Sequence, residues 1–247
     1  MDQTGISLLR SVTLNCWFVS QAFGAMLAPL ITDSCGRKMA YVIASSIMTL
    51  AAVIQYLGTV TLYPELLIAG RALCALCSPL SDAALILYLQ ECSPLEMRGA
   101  FSFLGEIGYG SMCVLGMILG LKNVFGDSLT RLLGFSAIPQ LFGVFFLLLI
   151  PETPKYLMIT QNDRKGALKS LEFFQGQRKE NEAVLDEYLC EAREEGEIKK
   201  GSLKEIFTTW HLRNAAYLSC MILTLTLPFY PILQSSTYFL LKLEIPR

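Results

Sequence analysis

Six long apolar stretches alternate with polar segments along this chain. Each is about long enough to cross a bilayer, since a membrane helix needs roughly 20 mainly apolar residues. The apolar positions are continuous rather than alternating, which favours membrane helices over the strands of a barrel. The pattern therefore predicts an all-α membrane protein with six spans, at residues 11–32, 39–60, 65–90, 99–121, 130–150 and 212–241.

The longest polar segment, residues 151–210, has apolar positions at helical spacing within 163–175 and again within 181–195. Ser202 and Glu205 have the spacing of a capping box, which would open a third short helix. We expect small amphipathic helices under the bundle; the alternative is a charged, disordered loop. The pattern divides the chain into five membrane spans over 1–150, a polar loop over 151–210, and a last span within 211–247.

Composition agrees with a membrane protein that carries one polar insertion. Charged residues make up 17% and hydrophobic residues 53% of the chain, whereas a soluble domain carries about 25% charged residues. The first 150 residues contain seven Lys or Arg, and residues 151–210 contain ten. A net charge of −1 with dispersed basic residues argues against nucleic-acid binding.

The distribution of basic residues also predicts the orientation in the membrane. Arg37, Lys38 and Arg98 lie on the same side as the polar insertion, whereas the turns on the other side contain only Lys122. The positive-inside rule therefore places the turn at residues 33–38 in the cytoplasm and the N-terminus outside. From this odd start we expect a further span upstream.

Four short motifs lie between these spans. They are Asp33-x-x-Gly36-Arg37-Lys38, Gly70-Arg71, Glu91-x-x-Pro94-x-x-x-Arg98-Gly99 and Pro151-Glu152-Thr153-Pro154-Lys155-Tyr156-Leu157. In their order and spacing the chain resembles the sugar-porter branch of the major facilitator superfamily, close to the facilitative hexose transporters. The resemblance covers nearly the whole chain and maps to spans two to seven of a twelve-span fold. It implies an incomplete major-facilitator-type helical bundle, with the five spans of the N-terminal half over 1–150, a cytoplasmic loop over 151–210 and the first span of the C-terminal half over 211–247.

The resemblance implies a cytoplasmic gating network, in which salt bridges hold one conformation and break when the two halves of the carrier rock. Ser34 departs from the family pattern, which has Arg at this position, so one arm of the network is missing. The alternative is that these residues are only interfacial anchors. The expected network consists of Asp33, Gly36, Arg37, Lys38, Glu91, Arg98 and Glu152.

Sugar porters hold their substrate with Gln and Asn side chains, and most of those positions are substituted here. Glu106 falls at the fifth-span Gln of the family, and Tyr230 falls near a seventh-span Asn. Asp82 and Glu106 are acids within predicted spans, where charge is costly. They indicate proton coupling or a cationic substrate, or else drift in a protein that no longer transports hexose. The candidate cavity residues are Asp82, Glu106, Gln140, Thr224, Tyr230 and Gln234.

We therefore expect a transporter of a small, sugar-like solute that works by alternating access. The alternatives are a non-transporting membrane protein of the same descent and an organic-cation or proton-coupled carrier. The expected partners are the lipid bilayer, a small solute, and a missing C-terminal half or another membrane subunit. By family the host is the plasma membrane. No nucleophile–histidine pair, phosphate loop or metal-ligand cluster is recognisable, so we expect neither an enzyme nor a cofactor.

Overall fold

A computed structural model describes residues 3–177, 181–197 and 208–226. Within those residues the chain is helical and contains no strand. Short 3₁₀ and π turns at Leu95–Met97 and Lys122–Gly126 connect the helices on either side of α4. The α-helices are α1 Gln3–Cys35, α2 Arg37–Thr61, α3 Pro64–Cys92, α4 Arg98–Leu119, α5 Leu129–Leu149, α6 Pro154–Ile159, α7 Arg164–Gln175, α8 Asn181–Glu197 and α9 Trp210–Thr226.

The first five predicted spans are confirmed as helices. Among the described residues, five helical segments are long and apolar enough to cross a membrane: Ser11–Cys35, Arg37–Thr61, Pro64–Cys92, Arg98–Leu119 and Leu129–Leu149. The sixth predicted span, 212–241, is described only as far as Thr226 within α9. It stays a prediction, as does the division at residues 150 and 210.

The chain divides into two compact units, residues 1–190 and 191–247, with the boundary inside α8. In the second unit, α9 places the Arg213 guanidinium 5.0 Å from the centroid of the Trp210 ring. The first unit contains the five long helices together with α6, α7 and the first part of α8. The candidate site and the contacts that position it lie in this first unit.

Helix α3 is the centre of the first unit, because it contacts α1, α2 and α4 as well as α6 and α7. Its core against α1 and α2 is built mainly from small side chains, with one leucine: Ala28, Ala40, Ala44, Cys77, Leu80 and Ala84. Small residues let membrane helices approach closely, so that packing replaces the hydrophobic driving force that lipid removes. By contrast, α4 and α5 contain no buried residue.

Two glycines show how close this approach is. A Cβ added at Gly70 of α3 would lie 2.6 Å from Gln55 Cγ and 2.9 Å from the Ala51 carbonyl oxygen of α2. A Cβ added at Gly24 of α1 would collide with the Leu76 carbonyl of α3. Because two of these contacts are to backbone, the neighbouring helices would have to separate before they could accept any side chain.

The part of the polar insertion that lies in the first unit packs on one end of this bundle and has a core of its own. Met158 of α6, Ala167 and Leu171 of α7, and Leu185 and Tyr188 of α8 form a buried apolar cluster. The helices predicted within 163–175 and 181–195 are therefore confirmed as α7 and α8. The third helix expected from Ser202 begins outside the described residues. The sequence reasoning did not predict α6, which starts directly after Thr153.

Replacement of Gly70 by Leu is expected to destabilise the protein by about 1–3 kcal/mol, the usual cost of overpacking a close interface. Gly143→Leu in α5 is the matched control, since nothing lies within 4 Å of a Cβ at that position. Both changes give the same gain in helix propensity. The measurement is thermal unfolding in detergent, and equal melting temperatures for the two variants would contradict the close α2–α3 contact.

Candidate functional site

Most of the expected gating residues meet at one end of the first unit. We call this the charged end of the bundle; it comprises residues 33–38, 91–92 and 148–156, where α1, α3 and α5 end and α2 and α6 begin. Five residues with direct contacts there form what we call the charged cluster: Arg37, Lys38, Glu91, Glu152 and Thr153.

The buried Glu91 carboxylate is the centre of the charged cluster. Its Oε1 accepts a hydrogen bond from Arg37 Nε at 2.9 Å, and its Oε2 accepts one from Thr153 Oγ1 at 2.7 Å. Glu91 is only 9% exposed and Thr153 is fully buried. Both carboxylate oxygens are thus satisfied, which a buried charge requires. The three residues join α2, α3 and the segment that precedes α6.

Glu152 makes a second connection across the same end. Its Oε1 accepts hydrogen bonds from the backbone N–H of Lys38 at 2.8 Å and of Thr153 at 3.0 Å. Lys38 is the second residue of α2, so the carboxylate lies at a helix N-terminus, where negative charge is favourable. The Lys38 ammonium donates to the Leu148 carbonyl at 3.1 Å, in the last turn of α5. The negative Glu152 carboxylate therefore stabilises the N-terminus of α2, and the positive Lys38 ammonium stabilises the C-terminus of α5.

Gly36 allows these contacts through its backbone. Its φ of 92° and ψ of 161° belong to a region that is essentially restricted to glycine. A Cβ there would lie 2.7 Å from Tyr156 Cε1 and 2.8 Å from Glu152 Oε2. The Tyr156 hydroxyl donates to the Ser34 carbonyl at 3.3 Å, and the Arg37 guanidinium lies 5.7 Å from the centroid of the Tyr156 ring.

Two expected members of the network make weaker contacts or none. Asp33 is 3.9 Å from Arg37, with a side chain that is 73% exposed, and a solvated pair of this kind contributes little. Arg98 is the first residue of α4. Among the described residues, its buried Nε has no hydrogen-bond partner and no ion pair joins it to Glu91. The structure therefore does not bring Arg98 into the charged cluster.

Sequence reasoning assigned no role to Thr153, which belongs to the charged cluster, or to Tyr156, which contacts Ser34 beside it. Thr153 is the N-cap of α6, where its hydroxyl accepts from the Tyr156 N–H at 3.4 Å. A Thr directly before Pro154 is the usual sequence signal of a helix start, so this role was detectable. The contact between Tyr156 and Ser34 had no sequence signal, because the two residues lie far apart in the chain.

The candidate cavity residues are only partly brought together. Asp82 on α3 and Glu106 on α4 are both exposed, and the two carboxylates are close enough to interact electrostatically. Gln140 on α5 has a buried Oε1 without a hydrogen-bond partner among the described residues. Thr224 belongs to the second unit, where its hydroxyl donates to the Cys220 carbonyl at 2.8 Å. Tyr230 and Gln234 lie outside the described residues.

Replacement of Gly36 by Ala is expected to destabilise the protein more than Gly176→Ala. Gly176 has a similar backbone, with φ 80° and ψ 174°, so both variants carry the same conformational cost. Nothing lies within 4 Å of a Cβ at Gly176, however, whereas at Gly36 it meets Tyr156 and Glu152. Thermal unfolding in detergent measures the difference, expected to be about 1–3 kcal/mol from the added overlap. An equal loss of stability in the two variants would mean that Tyr156 and Glu152 move aside without cost.

A protein-family model described as sugar (and other) transporter matches residues 2–231. Facilitated glucose transporter member 7 of solute carrier family 2 from Mus musculus is 27% identical over 215 residues, which cover 86% of this chain and 42% of that protein. Member 5 from Homo sapiens is 27% identical over 204 residues, covering 82% and 40%. The chain thus spans about two fifths of the length of these relatives.

Solved structures show the same fold. The proton:xylose symporter XylE bound to 6-bromo-6-deoxy-D-glucose superposes with a TM-score of 0.66 at 14% identity, over 81% of this chain and 46% of that one. The inward-open xylose transporter XylE from E. coli gives 0.64 at 16% identity, over 84% and 50%. The five confirmed spans are therefore part of a major facilitator fold, and this chain belongs to the sugar (and other) transporter family.

Proposed function

We propose that this protein contributes part of a membrane transporter that moves a small, sugar-like solute by alternating access. The single observation that carries the proposal is the buried Arg37–Glu91–Thr153 contact at the charged end of the bundle. It joins the ends of α2 and α3 to the segment before α6, at the end of the bundle where the family resemblance implies a gating network. The relatives are named as facilitated glucose transporters, and the plasma membrane is the proposed host.

The chemistry of the charged cluster suits a reversible closure. A buried carboxylate that loses its partners is strongly destabilising. Glu91 therefore favours the state in which Arg37 of α2 and Thr153 both contact it. Opening is possible if the lost contacts are exchanged for others, because the two states then differ by only a few kcal/mol. Among the described residues, the buried Nε of Arg98 has no acceptor. We propose that it takes a carboxylate partner in the opposite state.

Alternating access also needs two bundles around a central site. The first unit supplies five spans of one bundle. We propose that further spans, in the same or in a second polypeptide, complete the carrier. The acids Asp82 and Glu106, which interact on the exposed side of α3 and α4, favour a second candidate: a carrier coupled to protons or selective for organic cations. A non-transporting membrane protein of the same descent is the remaining alternative.

Proteoliposomes that contain this protein together with the spans that complete it, in a longer polypeptide or as a second subunit, are expected to take up a neutral monosaccharide with saturable kinetics. The panel is D-glucose, D-xylose, a polyol and an organic cation, each with and without an inward proton gradient. Uptake of the sugars without a gradient supports the first proposal. Two results support the second candidate: uptake that needs the gradient, or uptake of the cation alone. In either case Asp82→Asn or Glu106→Gln must abolish that uptake. Uptake equal to that of empty vesicles throughout would contradict both and favour the non-transporting alternative.

Replacement of Glu91 by Gln is expected to destabilise the protein by about 3–5 kcal/mol, because it breaks a buried pair from one side. Asp33→Asn is the matched control; it removes an exposed carboxylate from the same arginine and should change the melting temperature little. The double variant Arg37→Met, Glu91→Met replaces both partners by apolar groups and is expected to recover most of the loss.

The double variant also separates stability from gating. If the pair acts as a reversible closure, the double variant is stable but its transport rate falls well below that of the unchanged protein. Transport at the original rate in a stable double variant would show that the pair only anchors the helices. Melting temperature and initial uptake rate, measured on the same preparation, distinguish the two results.

A further inference from the structure

Helix α7 is fixed to the charged end of the bundle by one face only. Ala167 and Leu171 are fully buried in the cluster shared with α6 and α8, and the buried Ser170 hydroxyl donates to the Glu152 carbonyl. At the end of α7, Gln175 Nε2 donates at 3.3 Å to the carbonyl of Cys92, which is the last residue of α3. The C-terminal end of α7 therefore lies level with the end of a membrane span.

Aromatic packing also holds the C-terminal end of α7 beside the end of α3. The Phe174 ring contacts the Tyr88 ring of α3 edge-on, with centroids 5.9 Å apart, and Tyr88 donates to the Pro151 carbonyl at 2.6 Å. Phe173 packs on Phe174 with centroids 5.0 Å apart, yet 62% of Phe173 stays exposed. Since α3 ends at Cys92, this exposed ring lies about where hydrocarbon gives way to lipid headgroups.

The free face of α7 combines this ring with two cations. Lys165, Lys169 and Phe173 are all exposed and follow one another at intervals of four residues, so they share one face of the helix. Neither lysine makes an ion pair with any described residue, whereas Arg164 is paired with Asp186 at 2.7 Å. The face that α7 turns away from its own core is therefore basic, with an aromatic ring at the end nearest the spans.

We propose that this face, Lys165–Lys169–Phe173, docks on the anionic phospholipid surface that surrounds the charged end of the bundle. Charge complementarity selects the occupant, because unpaired lysines beside a membrane are attracted to anionic headgroups. The exposed aromatic ring gives the face the amphipathic character of an interfacial helix. Glu172 and Asp163 are the nearest acids along α7, but Asp163 is engaged in capping the Gly166 N–H. The proposal depends on membrane insertion and not on the proposed transport activity.

The function of such contacts would be to hold the insertion against the membrane while it packs on Glu152. Because Ser170 donates to the Glu152 carbonyl and the Glu152 carboxylate accepts from the Lys38 N–H, a shift of α7 reaches Glu152 through one hydrogen bond and Lys38 through a second. Anionic lipid would thereby stabilise the arrangement seen in this structure.

Fluorescence of a tryptophan introduced into the free face of α7 tests this docking in the whole 247-residue chain. The chain has two tryptophans, so Phe173→Trp is combined with Trp17→Phe and Trp210→Phe and reconstituted in nanodiscs. Brominated acyl chains are expected to quench the introduced indole when the discs contain phosphatidylserine, and less when they contain only phosphatidylcholine. Lys165→Gln and Lys169→Gln should each weaken the docked state about fivefold.

Two controls make the result specific. Gln161→Trp in the same background puts the probe in the exposed turn before α7 and is expected to stay unquenched. Lys122→Gln with Arg131→Gln removes two exposed cations away from the charged end and should leave the quenching of the α7 probe unchanged. If the tryptophan-replaced background does not fold, hydrogen exchange of residues 164–175 in the unchanged protein, compared between the two disc compositions, gives the same test.

Quenching of the α7 probe that is the same in both lipids, or unaffected by loss of the two lysines, would overturn the proposal. Loss of quenching on addition of inorganic phosphate at constant ionic strength would also overturn it, since the lysines would then form a site for a free anion. Selective quenching in phosphatidylserine discs that salt weakens supports lipid docking.

Discussion

The structure of this protein depends on satisfying one buried carboxylate. Glu91 lies at the end of α3, the helix that contacts most of the others, and an unpaired charge there would be prohibitive. Arg37 reaches it from the start of α2, and Thr153 reaches it from the segment after α5. Three parts of the chain that are distant in sequence are therefore held at one point by a single side chain.

The close packing of small residues is the second constraint, and the first depends on it. Arg37 can donate to Glu91 only because α2 and α3 lie near each other, and contacts at Gly70 with Gln55 and Ala51 set that closeness. Gly36 then turns the chain between α1 and α2 without a side chain that would displace Tyr156 or Glu152. Packing along the helices and charge at their ends thus reinforce one another.

The helices of the polar insertion that lie in the first unit are held by the same two kinds of contact, apolar packing and hydrogen bonds. Their apolar cluster stabilises α6, α7 and the first part of α8. Ser170 and Gln175 tie α7 to the backbone of Glu152 and Cys92. Helices α6 and α7, in a segment whose composition also suits a charged loop, therefore pack on the end of the spans. They contact the same residues that hold the helices together.

The sequence by itself determined the five confirmed spans, the helices α7 and α8, and the family. Membrane spans can be recognised in a sequence because lipid requires about 20 continuous apolar residues, and that requirement is local in the chain. The motifs likewise indicated that Arg37, Lys38, Glu91 and Glu152 lie near one another. Only the tertiary structure decided which atoms meet. Glu152 accepts from the Lys38 backbone N–H rather than from its ammonium. Thr153 donates to the second carboxylate oxygen of Glu91, and Arg98 lies outside the charged cluster. The reason is that hydrogen bonds depend on helix rotation and approach to within a few tenths of an ångström, which no spacing along the chain encodes.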